Sequence, residues 1–312
     1  MSKSINNFFK RIMHSCNSSH IADYCKGKLK RILYYFFNFF NVSYDWLTPY
    51  CVRHRLPIKP GKLAVFTQTN NEGQLLLYWE EYYGKMVGYE NLFILNNGGS
   101  DSSCSQLNQK TSVINMPFDI HDLHNCAQLQ GYFQRFLLQK YSWVLKVDVD
   151  EFMACEDGLL EQVKDLPDGI YSPEMAIGVI HDNNSESPFD YNRSLFEQRK
   201  NFVEEHPSMK KPSLASVPAT WAPGNHITYE KSKVLLGLWM VHLRDLDFDR
   251  LLERNKRIAV ERVSADYDKT TVAASFFRGM DLESIIKATA NELNNQLSKQ
   301  RVILPGWITT KI

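Results

Sequence analysis

The sequence predicts an α/β fold in which helices cover a mainly parallel sheet. Between residues 62 and 149, segments typical of strands alternate with segments typical of helices. Such alternation indicates crossover connections between parallel strands. The composition supports a folded chain, because 44% of the 312 residues are hydrophobic and 23% are charged. These values disfavour disordered, collagen-like and repeat architectures.

The elements follow one another in a regular order up to residue 149, and the pattern is weaker beyond residue 157. Helical spacing of apolar residues and a cap at Asp281 predict the last helices. The predicted strands cover residues 62–69, 91–96, 111–116, 143–149, 169–180, 213–221, 226–230 and 235–243. The predicted helices cover residues 72–88, 121–140, 248–262 and 281–300.

A change in net charge and a segment with prolines and a glycine divide the chain. Residues 1–59 carry a net charge of +8 and the remainder carries −7. Prolines and a glycine in "HRLPIKPGK" mark the boundary. We therefore expect a basic helical arm over residues 1–59, a main α/β domain over 60–265 and a helical extension over 266–312.

The basic arm contains the aromatic block "YYFFNFF" beside its cations, and polar residues interrupt it too often for a membrane span. Two interpretations stay open: a helix lying in the headgroup region of a membrane, or helices packed on the body. A single aromatic block fits nucleic acid poorly. We expect peripheral contact of residues 1–50 with the inner membrane, and no nucleic acid partner. Six cysteines without a C-x-x-C pair favour reduced thiols and a cytoplasmic location.

The segment "WVLKVDVDEFM" places acidic residues at the end of a buried strand. A period of two residues puts Asp148 and Asp150 on the same side, and ligands of parallel sheets bind at the carboxyl ends of strands. Two like charges aimed at one place call for a cation. Oxygen ligands favour Mg²⁺ or Mn²⁺, which keep water and substrate phosphate as further ligands. The motif therefore predicts a site for a metal and a diphosphate.

The stretch "DVDEF" resembles the D-x-D-E-F signature of GT-A fold glycosyltransferases of the family 2 and family 92 group. The segment from Asn70 to Asp101 resembles the opening unit of that group, with an N-E pair, a helix containing Trp and Tyr, and Asn-Gly-x-x-Asp. Downstream, "KKP", "GNHI" and "VHLRDLDFDRLLERNK" resemble segments that carry a Lys, a His and an acidic helix start. The resemblance covers about residues 62–257 and implies a GT-A, Rossmann-like domain that uses a nucleotide-sugar donor.

The resemblance also assigns roles by position. It implies that Mn²⁺ or Mg²⁺ bridges Asp148 and Asp150 to the donor diphosphate, with His226 or His242 as a further ligand. It implies contacts to the nucleotide from Thr67, Asn71, Glu72, Asn97, Asp101, Lys211 and Arg244. Asn96 stands where the group usually has an Asp, which leaves the nucleobase open.

An inverting transfer needs a general base for the acceptor hydroxyl. Glu151, Glu174 and Asp182 are the candidates beside Asp150, although the strand period turns Glu151 away from the metal pair. The predicted function is a metal-dependent glycosyltransferase acting on a glycan or lipid-linked acceptor, as in bacterial capsule or lipopolysaccharide synthesis. The alternatives are a metal-dependent phosphoesterase or nucleotidyltransferase, and a non-catalytic glycan-binding protein of the same fold.

Overall fold

The computed structural model of the protein describes residues 61–116, 123–261 and 280–312, which all belong to one compact unit, Leu47–Ile312. Its strands form a single sheet with the order β3-β2-β1-β4-β8-β6-β9-β5, and β7 pairs with β6 at a branch. The strands are β1 (Gly61–Thr69), β2 (Leu92–Asn96), β3 (Ser112–Asn115), β4 (Tyr141–Lys146), β5 (Glu151–Ala154), β6 (Ile170–Ile180), β7 (Asn201–Glu204), β8 (Leu214–Ala215) and β9 (Lys233–His242).

Six α-helices occur among these described residues. They are α1 (Gln74–Val87), α2 (Leu123–Leu137), α3 (Leu159–Gln162), α4 (Leu195–Gln198), α5 (Phe248–Glu261) and α6 (Leu282–Leu297). The α/β fold predicted from the sequence is confirmed: strands β3, β2, β1 and β4 run parallel, and the other half of the sheet is mixed.

The alternating side chains of β1 explain why helices cover both faces of the parallel half. Leu63 and Val65 belong to the main core, which includes the inner face of α1. Phe66 points to the opposite face, where its ring lies 5.3 Å from that of Phe133 in α2, centroid to centroid. Both faces of β1 are therefore buried, as expected for a parallel strand between helices.

The strands converge at one edge of the sheet. Strand β4 is parallel to β1, and β8 pairs antiparallel with both β4 and β6, so β4 and β6 run in the same direction. Because β6 is also parallel to β9, the carboxyl ends of β1, β2, β4, β6 and β9 meet at this edge. Ligands of open α/β sheets bind at such an edge.

The C-terminal segment packs on the same body. In α6, Thr289 Oγ1 accepts a 3.1 Å hydrogen bond from Asn255 Nδ2 in α5, and Leu293 joins a buried cluster with Leu251. Ile308 lies in the main core. The predicted extension is thus part of the packed unit within residues 280–312, and the basic arm lies outside the described residues. No helix among the described residues is long and apolar enough to cross a membrane.

The second half of the sheet differs from the sequence prediction. The segment 226–230 contributes an isolated bridge between Trp221 and Thr228 instead of a strand, and only residues 214–215 of the segment 213–221 form one. Strands β5 and β7 were not predicted. Both are four residues long and fully or mostly buried, so they lack the polar alternation that marks a strand in a sequence.

Tyr83 of α1 fixes the position of β5, and its removal tests that link. The Tyr83 hydroxyl donates to the carbonyl of Glu151 and accepts from the amide of Met153, both at 2.9 Å, in a fully buried place. We expect Tyr83→Phe to lower the free energy of unfolding by about 1–3 kcal/mol, because a buried amide loses its acceptor. Urea denaturation measures this change.

Tyr78→Phe is the matched control on the same helix. The ring of Tyr78 packs against Phe152, while its hydroxyl makes no hydrogen bond with any residue that the structure describes. The free energy of unfolding of Tyr78→Phe should stay within about 0.5 kcal/mol of the wild-type value. Equal losses in the two variants would contradict the assigned role of the Tyr83 hydroxyl.

Candidate functional site

The turn between β4 and β5 carries the acidic motif, and a quartet of charged side chains holds it. Strand β4 ends at Lys146, and the amide of Glu151 donates to the carbonyl of Asp148 at 3.0 Å, which closes the turn. Lys146 Nζ lies 2.8 Å from Asp148 Oδ1, and Lys211 Nζ lies 2.6 Å from both Asp148 Oδ2 and Glu151 Oε1. We call Lys146, Asp148, Glu151 and Lys211 the charged quartet.

Three members of the charged quartet are buried, which makes their pairing obligatory. Glu151 is 0% exposed, and its second oxygen accepts from the amide of Asp148 at 2.9 Å. Burial raises the pKa of Asp148, but the ammonium groups of Lys146 and Lys211 outweigh it and hold that pKa well below its usual range. The same attraction outweighs burial at Lys211 and raises its pKa. Asp148 and Lys211 are therefore charged at neutral pH.

The two aspartates of the motif have different partners. The prediction that a strand period aligns them is wrong, because both lie in the turn beyond β4. Asp150 Oδ2 lies 3.6 Å from Nε2 of His242, the last residue of β9, and Nδ1 of His242 lies 3.0 Å from Glu205 Oε1. Burial raises the pKa of Asp150, yet His242, followed by Arg250 and Arg254, holds it well below its ordinary value.

Glu205 was not predicted from the sequence, and a glycine makes room for it. Gly178 of β6 pairs with His242 of β9, and a Cβ atom on Gly178 would come within 2.9 Å of Glu205 Oε1. A side chain at residue 178 would therefore displace the carboxylate from the imidazole. Asp150, His242 and Glu205 form a continuous chain of polar contacts, which we call the His242 chain.

The loops after β1 and β2 lie at the same edge and bind each other. Asn71 Oδ1 accepts from the amide of Asp101 at 2.9 Å, and Asp101 Oδ2 accepts from the amide of Gly73 at 2.9 Å. Asn97 is joined to this pair of loops, since its carbonyl accepts from Asn70 Nδ2 at 2.7 Å. The structure thus brings the loops of Asn71, Asn97 and Asp101 together; their contact with a nucleotide stays a prediction.

Helix α5 adds a row of cations that sequence reasoning missed. Asp247 caps its first turn, accepting from the amides of Asp249 and Arg250 at 3.0 and 3.3 Å. Beside this helix lies a cleft of about 480 Å³. The cleft is lined by Asn71, Glu72, Arg250, Glu253, Arg254, Lys256 and Arg257. The spacing of Arg250, Arg254 and Arg257 by four and three residues is the signal that could have revealed one basic helix face.

The remaining candidates are placed as follows. Thr67 is completely buried, and its hydroxyl has no partner among the described residues, so it is not presented to a ligand. Exposed His226 contacts the carbonyl of Ser208 at 2.9 Å, and none of its contacts among described residues involves the acidic turn. Arg244 forms two bonds of 2.8 and 2.9 Å with Asp245. Both Arg244 and Lys211 are thus occupied by carboxylates.

The proposed bases are also engaged in local bonds. Glu174 accepts from the amide of Gly237 at 2.8 Å, across an irregular part of the β6–β9 pairing. Asp182 lies in the turn after β6, where it accepts from Ser185 Oγ at 2.7 Å. Glu151 is held within the charged quartet, which gives it a positioning role. Within the described residues, no group of three or more His, Cys, Asp or Glu side chains is placed to hold a metal ion.

Removing Lys211 tests the charged quartet. We expect Lys211→Met to lower the free energy of unfolding by about 3–5 kcal/mol at pH 7, because Glu151 then lies buried without a cation. The adjacent Lys210→Met is the control, since Lys210 forms a partly exposed 3.4 Å pair with Glu204 worth about 1 kcal/mol or less. Urea denaturation of both variants gives the comparison. A Lys211→Met variant as stable as Lys210→Met would refute the quartet as a determinant of stability.

The His242 chain predicts a pH dependence of the metal-free protein. Burial lowers the pKa of His242, but Asp150 and Glu205 outweigh it and raise that pKa from 6.5 to about 9. Because the pKa of His242 is higher in the folded than in the unfolded protein, the charged imidazolium stabilises the fold. This stabilisation is fully present below pH 6.5 and is lost as the pH rises through about 9. With EDTA present, the free energy of unfolding of the wild type should fall by about 3 kcal/mol more than that of His242→Gln between pH 6.5 and about 9. His206→Gln, at an exposed histidine, should keep the wild-type slope; a wild-type slope in His242→Gln would contradict the assignment.

Comparison with known proteins gives distant structural similarities. No family model matches the chain, and no curated protein sequence matches it. The solved structure of S. aureus TarS 1–349 is similar with a TM-score of 0.34 and 14% identity, over 75% of this chain and 71% of that chain. Mannose-1-phosphate geranyltransferase from Thermus thermophilus is similar with a TM-score of 0.28 and 9% identity, over 73% and 68% of the respective chains. Structural similarities this low support no conclusion about the substrate or the mechanism of this protein.

Proposed function

We propose that this protein is a glycosyltransferase that uses a nucleotide-sugar donor. One observation carries the proposal: the His242 chain and the acidic turn lie at the carboxyl edge of the parallel strands, beside a cationic cleft. Ligand sites of α/β sheets form at this edge. The joined loops of Asn71 and Asp101 form a second wall there, which suits the nucleoside, and the cations suit its diphosphate.

The residues present fit a divalent cation at Asp150 and His242. The carboxylate and the imidazole Nε2 face each other at 3.6 Å, and a carboxylate behind the other ring nitrogen is the usual support of a metal-bound histidine. Asp148 fits less well, because ammonium groups contact both of its oxygens. We therefore move the proposed Mn²⁺ or Mg²⁺ site from the aspartate pair to Asp150 and His242, with donor phosphate and water as further ligands. When bound, such a cation would stabilise the negative charge of the leaving diphosphate.

In the proposed reaction, an acceptor hydroxyl oxygen bonds to the anomeric carbon of the donor sugar. The bond from that carbon to the diphosphate oxygen breaks, its electron pair stays on the nucleoside diphosphate, and the hydroxyl proton passes to a base. The chain contributes position and charge: Asp150 and His242 at the diphosphate, and the loops of Asn71 and Asp101 at the nucleoside. Oriented groups of this kind act on charge that develops in the transition state.

The acceptor we propose is a glycan or a lipid-linked glycan. The sequence supports this through residues 1–50, whose cations and aromatic block suit an anionic membrane surface where lipid-linked acceptors are presented. Those residues lie outside the described part of the chain. The membrane contact and the cytoplasmic location are predictions from the sequence.

Nucleotide release from a panel of UDP-, GDP- and CMP-sugars tests the proposal. We expect one donor to be consumed with Mn²⁺ or Mg²⁺ present and turnover to fall with EDTA. Asp150→Asn should lower turnover at least about 100-fold, because it removes a charge that acts at the diphosphate. Asp190→Asn, at a surface aspartate bonded to Asn192, is the control and should retain turnover. Absence of turnover with every donor, or an Asp150→Asn variant as active as wild type, would refute the proposal.

A further inference from the structure

Among the described residues, the basic face of α5 contains one cation without a hydrogen-bond or ion-pair partner. Arg250, Arg254 and Arg257 lie on one side of the helix and line the cleft together with Lys256. Glu72 and Glu253 are the acidic side chains of the lining. The lining therefore carries four cations and two anions, so its net charge is positive.

Three of the four cations are bound by neighbouring groups. Arg250 donates to the carbonyls of Leu243 and Arg244, and its Nη2 lies 3.1 Å from Glu72 Oε2. The guanidinium of Arg257 donates to the carbonyls of Asn70 and Asn71 at 3.0 and 2.7 Å.

Lys256 is the third, since its Nζ lies 2.7 Å from Glu253 Oε1. The contacts of Arg250 and Arg257 hold α5 against the loop after β1. These contacts occupy part of the donor capacity of the three groups.

Arg254 differs from these neighbours. It forms no hydrogen bond or ion pair with any residue in the described part of the chain, although it lies in the electrostatic field of Asp150 and Glu72. Burial lowers its pKa, as do the like charges of Arg244 and Arg250, and the carboxylates only partly offset this. A half-buried guanidinium beside like charges is less favourable without an anionic partner.

We propose that Arg254 binds the diphosphate of the nucleotide donor, at the end of the cleft next to Asp150. This inference rests on the proposed function and names a residue that holds its leaving group. The planar guanidinium can donate two parallel hydrogen bonds to phosphate oxygens, which an ammonium cannot. Its charge also compensates the repulsion between a diphosphate and Asp150.

The position of Arg254 favours the donor diphosphate over an anion elsewhere on the surface. Arg254 and Asp150 lie close enough to interact electrostatically, so an anion at Arg254 would lie near the His242 chain. The joined loops of Asn71 and Asp101 border the same cleft through Asn71. A nucleoside diphosphate extending from these loops to Arg254 would thus place its last phosphate at the acidic turn.

Pyrophosphate binding to the full-length protein in EDTA tests this contact without turnover or metal. By isothermal titration calorimetry, Arg254→Ala should weaken pyrophosphate binding about tenfold or more, the usual effect of a lost hydrogen bond to a charged group. Arg254→Lys should lie between this variant and wild type, because it keeps the charge but loses the paired donors. UDP should show the same order.

Lys256→Ala is the matched control, because it removes one cation from the same helix and the same cleft. We expect less than about a twofold effect, since Lys256 is already paired with Glu253. An equal loss in Lys256→Ala and Arg254→Ala would indicate a general surface potential and would overturn the assignment. So would unchanged binding in Arg254→Ala, or a wild-type protein that does not bind pyrophosphate.

Two further measurements separate this inference from the proposed function. Thermal denaturation should show that Arg254→Ala is at least as stable as wild type, because a cation beside Arg244 and Arg250 is removed; if it unfolds, Arg254→Lys alone decides. Donor turnover forms the second measurement. If Arg254→Ala loses pyrophosphate affinity but the wild type turns over no donor, the diphosphate site stands and the glycosyltransferase activity is refuted. If the wild type turns over a donor but Arg254→Ala keeps full pyrophosphate affinity, the activity stands and the assignment of Arg254 is refuted.

Discussion

The neutralisation of Asp148 and of the buried Glu151 at the turn between β4 and β5 is the interaction on which the candidate site depends. Lys146 is the last residue of β4 and Glu151 is the first of β5, so the charged quartet joins the two ends of the turn. Lys211 closes it from the segment before β8. Buried ion pairs add little net stability compared with apolar residues, but removing one partner is costly. The quartet therefore fixes the path of this turn more than it stabilises the fold.

That path separates the two aspartates into different environments. Asp148 faces two ammonium groups and has no free oxygen, whereas Asp150 faces an imidazole that Glu205 holds from behind. One acidic motif thus supplies a fixed charge within the framework and a second charge at the cleft. Because His242 is the last residue of β9 and pairs with Glu151 across the β5–β9 ladder, the same register that builds the sheet positions the His242 chain.

Helix α5 links these charges to the loops that border the cleft. Asp247 caps the helix next to the acidic turn, and Arg254 and Arg257 reach the cleft further along the same helix. Arg257 binds the carbonyl of Asn71, which has a positive φ of 56° and directs its side chain to the Asp101 loop. Helix α5 therefore contacts both the loop after β1 and the segment after β9. The same contacts hold the helix that carries Arg254, which has no hydrogen-bond or ion-pair partner in the described part of the chain.

The sequence by itself determined the parallel half of the sheet and the edge at which the loops after its strands meet. These features follow from local periodicity and from the rule that parallel strands share a carboxyl edge. Only the tertiary structure decided which charges meet there. Lys211 is 63 residues from Asp148 and Glu205 is 37 residues from His242, and no local pattern specifies such pairs. Whether a lysine is neutralised by a carboxylate depends on packing between distant segments, as Lys211 shows.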